Sequence, residues 1–266
     1  MTDVLRSLVL GVVQGLAEFL PISSSGHLRL FQEVLGWQEF GVAFDVMLHL
    51  ATLLAVALYF WRDIANMALA VFSRKPERSA DRRLAWLVII ATVPTGIIGI
   101  LGNNWFETVP MIYVGIAFLI TAAVLTAADR LSNLSLHAAT NLSWTQAVLV
   151  GVAQGVAIMP GISRSGATMA AGLSLGLDRE QAARFSFLLS IPIILLAGAK
   201  KALDVFGGSA SMPSLLVSAV GFIAAALTGY MAIAGLMRFL RKHTFLPFAV
   251  YTGALGIAVI IWQLMS

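Results

Sequence analysis

Long apolar stretches follow one another along the chain, separated by short polar segments. Six of them approach the roughly 20 apolar residues that a helix needs to cross the hydrocarbon core of a bilayer. They are Val42–Trp61, Leu84–Leu101, Met111–Ala128, Phe185–Ala199, Ser214–Met237 and Phe245–Met265. None of them shows the alternation of apolar and polar residues that marks the strands of a membrane barrel. The pattern predicts an all-α integral membrane protein with six transmembrane helices.

Two further apolar stretches are interrupted by proline, glycine and serine. The interruptions lie at Pro21–Gly26 and at Pro160–Gly166, each between two short apolar helices. Irregular backbone at membrane depth is tolerated only where it is buried in protein or lines a water-filled cavity. Residues 4–37 and 145–177 are therefore predicted to be re-entrant helical hairpins, which gives about ten helices in all.

The two interrupted stretches are copies of one sequence. GVVQGLAEFLPISSSG (Gly11–Gly26) aligns without gaps with GVAQGVAIMPGISRSG (Gly151–Gly166) at an offset of 140 (151 − 11), and nine of 16 positions are identical. We expect one membrane domain, 1–266, built from repeat 1 (about 1–130) and repeat 2 (about 144–266). Because an odd number of spans separates the hairpins, they should enter from opposite faces. This predicts an inverted-topology repeat whose interrupted helices meet near the midplane.

Composition and charge agree with a membrane protein. Hydrophobic residues make up 59% of the chain and charged residues 11%, whereas soluble domains are about one quarter charged. The net charge of +4 reflects Lys and Arg in loops rather than an affinity for nucleic acid; the cluster at 62–83 places the loop between the first two spans in the cytoplasm. The chain has no cysteine, which excludes a thiol nucleophile. The first apolar stretch lacks a signal-peptide cleavage pattern, so we expect it in the mature protein.

Glu18 and Arg164 are the first candidates for chemistry. A carboxylate within an apolar helix is costly, so Glu18 is a functional candidate, and Gln14 lies on the same helical face. The alternative for Glu18 is a solvated or capping position near the interface. Arg164 aligns with Ser24, and a guanidinium matches phosphate oxygens bidentately. The alternative for Arg164 is a side chain that extends to the membrane surface.

The two breaks also suggest an anion pocket, because each is followed by the N-terminus of a new helix, which favours negative charge. His27 could act there as nucleophile, general acid or proton shuttle, and Ser24 as nucleophile if a base lies close. Alternatively, Ser23–Ser25 only cap a helix. His49, four residues after Asp45, is predicted to be structural or to support the site from outside.

Three motifs resemble those of a known family. QGLAE (Gln14–Glu18), PISSSGH (Pro21–His27) and PGISRSGAT (Pro160–Thr168) are similar to the (E/Q)xxxE, P-x-S-S-x-G-H and P-G-x-S-R-S-x-x-T motifs of bacterial undecaprenyl pyrophosphate phosphatases, the bacitracin-resistance proteins. The resemblance extends over the whole chain through its length and its pattern of spans. Many members have glutamate where this chain has Gln14, so this chain offers one carboxylate there instead of two.

The resemblance implies a hydrolase that removes the terminal phosphate from undecaprenyl pyrophosphate and so recycles the lipid carrier of cell-wall precursors. It implies catalytic roles for Glu18, Ser24, His27 and Arg164, while the nucleophile stays open between Ser24, His27 and water. We expect Arg164 to face Glu18 and His27 across the bound diphosphate. Residues implied in substrate binding are Gln14, Ser23, Ser25, Gly26, Ser163, Ser165, Gly166 and Thr168.

The resemblance also implies a location in the bacterial cytoplasmic membrane, a pocket that opens to the periplasm, and resistance to bacitracin. The expected partners are the lipid substrate and the bilayer, and a homodimer is compatible with the sequence. A Mg²⁺ or Ca²⁺ ion bridging the pyrophosphate fits the chemistry, although no set of protein ligands for it is evident. The rival function is a transporter or flippase of the lipid carrier, because inverted repeats with broken helices are transporter architecture.

Overall fold

The computed structural model describes residues 2–37, 40–107, 109–132, 142–206 and 213–265. Within these residues the chain forms eleven α-helices and no β-strand, which confirms the all-α class. The helices are α1 Thr2–Phe19, α2 Ser24–Leu35, α3 Gly41–Tyr59, α4 Trp61–Ala70, α5 Ser79–Glu107, α6 Met111–Ser132, α7 Trp144–Val156, α8 Arg164–Ser174, α9 Arg179–Phe206, α10 Leu215–Leu240 and α11 Leu246–Met265. The segments that connect the predicted spans at 129–144 and 200–213 fall partly outside the described residues.

Five of the described helices are long and apolar enough to cross a membrane, namely α5, α6, α9, α10 and α11. The remaining predicted span, Val42–Trp61, corresponds to α3, which is followed by α4 after a bend of 80°. The chain is therefore a multi-pass integral membrane protein. Both α5 and α9 begin before their predicted spans, because their first turns carry charged side chains such as Asp81 and Glu180 that an apolar pattern does not include.

Helix α4 lies where the sequence predicted a loop. Its Ile64 and Met67 side chains pack against the main apolar core, while Trp61 is exposed. Asp63 forms an ion pair with Arg184 of α9. The helix is thus amphipathic and short, and a search for continuous apolar stretches does not detect it.

The first helix of each repeated segment packs closely against a long helix, through glycine. A Cβ atom added at Gly11 of α1 would lie 2.4 Å from the carbonyl oxygen of Gly221 in α10. A Cβ atom added at Gly151 of α7 would lie 2.0 Å from the carbonyl oxygen of Ala91 in α5. Small residues let helix backbones approach in this way within membranes. Since α10 follows the second sequence copy and α5 follows the first, each copy packs against helices from the other half of the chain.

The end of α1 is anchored in the largest apolar core. The ring of Phe19 meets the ring of Phe187 in α9 edge-on, with 5.4 Å between centroids, and both side chains are fully buried. This packing fixes the position of the neighbouring residue, Glu18, at the last turn of α1.

Candidate active site

Both sequence copies contain a helix break, and a serine caps the helix that follows each break. Ser23 Oγ accepts the Gly26 backbone N–H at 3.4 Å before α2, and Ser163 Oγ accepts the Gly166 N–H at 3.0 Å before α8. These bonds satisfy helix N–H groups that have no partner within the helix. Ser23 therefore caps a helix, and Ser163 does the same in the second copy.

The two turns touch each other. The Gly161 N–H donates to Ser23 Oγ at 3.2 Å, and Ser165 Oγ donates to the Leu20 carbonyl oxygen at 3.1 Å. Gly161 has φ +95° and lies against α6, where an added Cβ would be 2.5 Å from the Val114 carbonyl oxygen. Only glycine fits this combination of backbone conformation and space. The breaks in the two copies therefore pack directly against each other and are joined by hydrogen bonds.

Glu18 is the centre of the polar contacts at this junction. Its side chain is buried, and Oε1 lies 2.6 Å from Nη2 of Arg164, the first residue of α8. Oε2 accepts the Ser24 hydroxyl at 2.5 Å and the Gln14 amide at 3.0 Å. A buried carboxylate is stable only when its charge is paired and its oxygens are hydrogen-bonded, and both conditions hold here.

A cavity of about 220 Å³ lies beside this cluster. Its polar lining includes the catalytic candidates Glu18, Ser24 and Arg164. Its apolar lining is formed by Ala17, Val46, Ala157, Ile158, Ile162, Ile193, Ile194 and Ala197. The cavity is thus lined by both charged and apolar side chains, which suits a ligand with a polar head and a hydrocarbon tail.

The predicted binding residues divide into two groups. Those that line the cavity are Ser23, Ser25, Ser163 and Ser165. Those that do not are Gln14, Gly26, Gly166 and Thr168. Thr168 donates to the carbonyl oxygen of Arg164 at 2.8 Å and lies 2.6 Å from the Ser186 hydroxyl, so it steadies the first turn of α8. Gly26 makes room for the ring of Phe118, which an added Cβ would approach to 2.7 Å.

The prediction that His27 faces Arg164 across the cavity is wrong. His27 Nδ1 lies 2.8 Å from the Ser23 carbonyl oxygen, and Nε2 lies 2.8 Å from the hydroxyl of Tyr251 in α11. The imidazole is stacked on the Tyr251 ring and is not among the residues that line the cavity. The spacing of the motif put His27 one turn after Ser24, but it did not show that α2 turns this side chain towards α11.

The sequence did not place His49 at the site itself, and it gave no role to Thr95 or Gln154. All three line the cavity, and His49 Nε2 lies 3.5 Å from Glu18 Oε2. Gln154 could have been found, because it is the counterpart of Gln14 in the second copy (14 + 140). His49 and Thr95 lie on the spans α3 and α5, and no local pattern shows which side chain of a span meets another helix.

The described residues do not provide a protein-only site for a metal ion. Within the described ranges, no group of three or more His, Cys, Asp or Glu side chains comes together. The one carboxylate at the cavity, Glu18, is already paired with Arg164. A divalent cation prefers several oxygen ligands, so these side chains do not form a cage for one by themselves.

Comparison of the sequence with known proteins identifies its family. The family described as "Bacitracin resistance protein BacA" matches residues 7–258. Similar proteins named undecaprenyl-diphosphatase come from Methanosphaera stadtmanae (44% identity, 98% of each chain covered) and Rubrobacter xylanophilus (43%, 97% of this chain and 98% of the relative). Another so named, from Myxococcus xanthus, is 40% identical over 97% of this chain and 89% of the relative. The chain belongs to the bacitracin resistance protein BacA family.

Proposed function

We propose that this protein is a membrane phosphatase that hydrolyses undecaprenyl pyrophosphate to undecaprenyl phosphate and inorganic phosphate. Its relatives are named for that activity. The observation that carries the proposal is the convergence of the Arg164 guanidinium and the Ser24 hydroxyl on the buried Glu18 carboxylate beside the cavity. A cationic donor, a nucleophile and a base are the groups that phosphoryl transfer through a covalent intermediate requires.

In the proposed reaction Ser24 is the nucleophile. Its Oγ attacks the terminal phosphorus, and its proton passes to Glu18 Oε2, 2.5 Å away. The bond from that phosphorus to the bridging oxygen breaks, and its electron pair leaves with undecaprenyl phosphate. Water then attacks the phosphoserine, Glu18 returns the proton to Oγ, and inorganic phosphate leaves with both protons of the water.

Arg164 and two helix N-termini stabilise the phosphates in this proposal. Arg164 Nη2 holds Glu18, while the buried Nη1 has no hydrogen-bond partner among the described residues, so a phosphate oxygen would satisfy it. Helices α2 and α8 both begin at the cavity, where their N-terminal N–H groups favour negative charge. Preorganised donors of this kind supply most of the catalysis in phosphoryl transfer.

His27 is assigned a positioning role in this scheme. Ser23 has φ +70°, a left-handed conformation that is strained for a residue other than glycine. The hydrogen bond from His27 Nδ1 to the Ser23 carbonyl oxygen stabilises that conformation and so orients the neighbouring Ser24. Both nitrogens of the imidazole are engaged in hydrogen bonds, which favours Ser24 over His27 as nucleophile.

The two hairpins are proposed to lie in the membrane in a two-fold arrangement. The hairpins at 4–37 and 145–177 would enter from opposite faces of the bacterial cytoplasmic membrane, with the pocket open to the periplasm. The crossed packing of α1 on α10 and of α7 on α5 supports such a two-fold arrangement, because each contact is the counterpart of the other in the repeat. In that position the enzyme would recycle the lipid carrier and confer bacitracin resistance.

The test is phosphate release from undecaprenyl pyrophosphate by the purified protein in detergent. Wild type should release inorganic phosphate, and Ser24→Ala and Arg164→Ala should abolish release. The matched controls are Ser218→Ala, whose hydroxyl bonds the Pro213 carbonyl oxygen, and Arg238→Ala on the exposed face of α10; both should retain activity. A wild-type protein that moves the lipid across liposomes without cleaving it would overturn the proposal in favour of a flippase.

A further inference from the structure

The orientation of the His49 imidazole is fixed by a hydrogen bond within α3. Nδ1 lies 2.8 Å from the carbonyl oxygen of Asp45, one helical turn earlier. A carbonyl oxygen only accepts, so Nδ1 carries a hydrogen and donates it. This leaves Nε2 free to face the cavity, where the side chain is 29% exposed.

His49 Nε2 faces the same carboxylate oxygen that receives the Ser24 hydroxyl. The distance from Nε2 to Glu18 Oε2 is 3.5 Å. The Glu18 carboxylate is paired with Arg164, which favours its ionised form. A neutral imidazole would present a lone pair to this anion, whereas a protonated imidazole presents an N–H donor and a positive charge. The geometry therefore fits a protonated His49.

The surroundings of His49 add few other charges. The charged groups that face it are Glu18 from α1, Arg164 from α8 and Asp45 on α3 itself, and Gln32 of α2 donates to the Asp45 carboxylate at 3.1 Å. On α9 the cavity is lined by isoleucine and alanine side chains, and on α10 Gly221 lies against Phe44 and Leu48 of α3. Two carboxylates, those of Glu18 and Asp45, and one cation, Arg164, therefore surround the imidazole.

We infer that His49 is a positioning residue of this site, whose protonated imidazole holds the Glu18 carboxylate against Ser24. The inference rests on the proposed function. It predicts that the reaction loses efficiency as pH rises, since imidazoles in proteins change charge between about pH 5 and 8. The amide of a glutamine at this position would still reach Glu18 but would not titrate.

The experiment is a pH profile of kcat/KM for undecaprenyl pyrophosphate with wild type, His49→Gln and His49→Arg. Wild type should show a descending alkaline limb. His49→Gln should lose this limb and fall below wild type by about tenfold at low pH, because a neutral amide donates a weaker hydrogen bond to a carboxylate than a charged imidazole does. His49→Arg keeps the charge and should retain activity on the alkaline side. His243→Gln, which changes an exposed imidazole stacked on Phe239, should reproduce the wild-type profile.

A profile of His49→Gln that keeps the wild-type alkaline limb would overturn the inference. A second readout does not depend on activity, namely the coupling between His49→Gln and Glu18→Gln in a double-mutant cycle of Tm. Coupling should be larger at about pH 5.5 than at about pH 8.5, because a protonated imidazole adds its charge to the pair. Equal coupling at both values would also refute the role of a charged His49. If wild type cleaves no lipid pyrophosphate but the coupling behaves as expected, the proposed function fails and the His49–Glu18 pair stands.

Discussion

The two turns share a scaffold and differ in the side chains that carry chemistry. Both use a serine cap, Ser23 and Ser163, but the backbone of Ser23 is left-handed (φ +70°) whereas that of Ser163 is extended (φ −74°). The first turn supplies Ser24 as its first helical residue, and the second supplies Arg164 at the equivalent position. The serine-capped break is thus common to both copies, whereas the residue that follows the cap is a hydroxyl donor in the first copy and a guanidinium in the second.

The position of Glu18 also differs between the two copies. Glu18 corresponds to Ile158 in the second copy (18 + 140), and both residues line the cavity. At this position the first copy contributes a negative charge, and the second contributes part of the apolar wall. An amphiphilic ligand requires both, which a fully symmetric pair of turns would not provide.

Restoring symmetry should have the largest effect. Arg164→Ser gives the second turn the residue of the first, and kcat/KM should fall by about 10³-fold or more because the charge facing the phosphates is lost. Stability should fall by about 3 kcal/mol or more, since Glu18 would remain buried without its ion pair. Thermal melting measures the second effect. The double variant Glu18→Gln/Arg164→Ser should recover Tm but not activity, and recovered activity would contradict the assignment.

Removing the charge of Glu18 should have the next largest effect. Glu18→Gln keeps the shape of the side chain but cannot take a proton from Ser24, so kcat should fall by about 10²-fold. Glu33→Gln is the matched control, because Glu33 is exposed on α2 and lies outside the cavity lining. Steady-state kinetics with undecaprenyl pyrophosphate would show the contrast, and equal losses in the two variants would count against Glu18 as the base.

The close helix contacts at the glycines of the two copies should respond alike to substitution. Gly11→Ala and Gly151→Ala each push a Cβ into a facing backbone carbonyl, so each should lower stability by about 1–3 kcal/mol. Gly235→Ala in α10 is the control, because an added Cβ there meets no atom within 4 Å. Thermal melts in detergent would check this. A large loss in one copy and none in the other would show that the packing is not equivalent.

The smallest effect should come from the hydrogen bond between Tyr251 and His27, next to the first turn. Tyr251→Phe removes the hydroxyl that meets His27 Nε2 and leaves the stacked ring in place. The cost should be about 0.5–1.5 kcal/mol, hence up to about tenfold in kcat. His27→Ala should cost more, because it also removes the bond to the Ser23 carbonyl oxygen. An unchanged rate in Tyr251→Phe, measured at saturating substrate, would remove Tyr251 from the account.

The apolar pattern predicted the class and the positions of the helix breaks, because both depend on local composition. The motifs placed Glu18, Ser24 and Arg164 near the breaks, and the alignment of the two copies paired Ser24 with Arg164. The pattern did not predict α4, whose apolar face is short. The sequence also misplaced His27 and kept His49 outside the site, because the direction of a side chain depends on which helices pack together. That packing is decided by contacts between distant segments such as α1 and α10.

The most direct test of the account is the identity of the covalent intermediate. The purified protein is mixed with undecaprenyl pyrophosphate labelled in its terminal phosphate, quenched in acid at early times, and digested for mass spectrometry. If Ser24 is the nucleophile, the label should be found on Ser24 and should be lost in Ser24→Ala. Label on His27, or label that survives in Ser24→Ala, would contradict it.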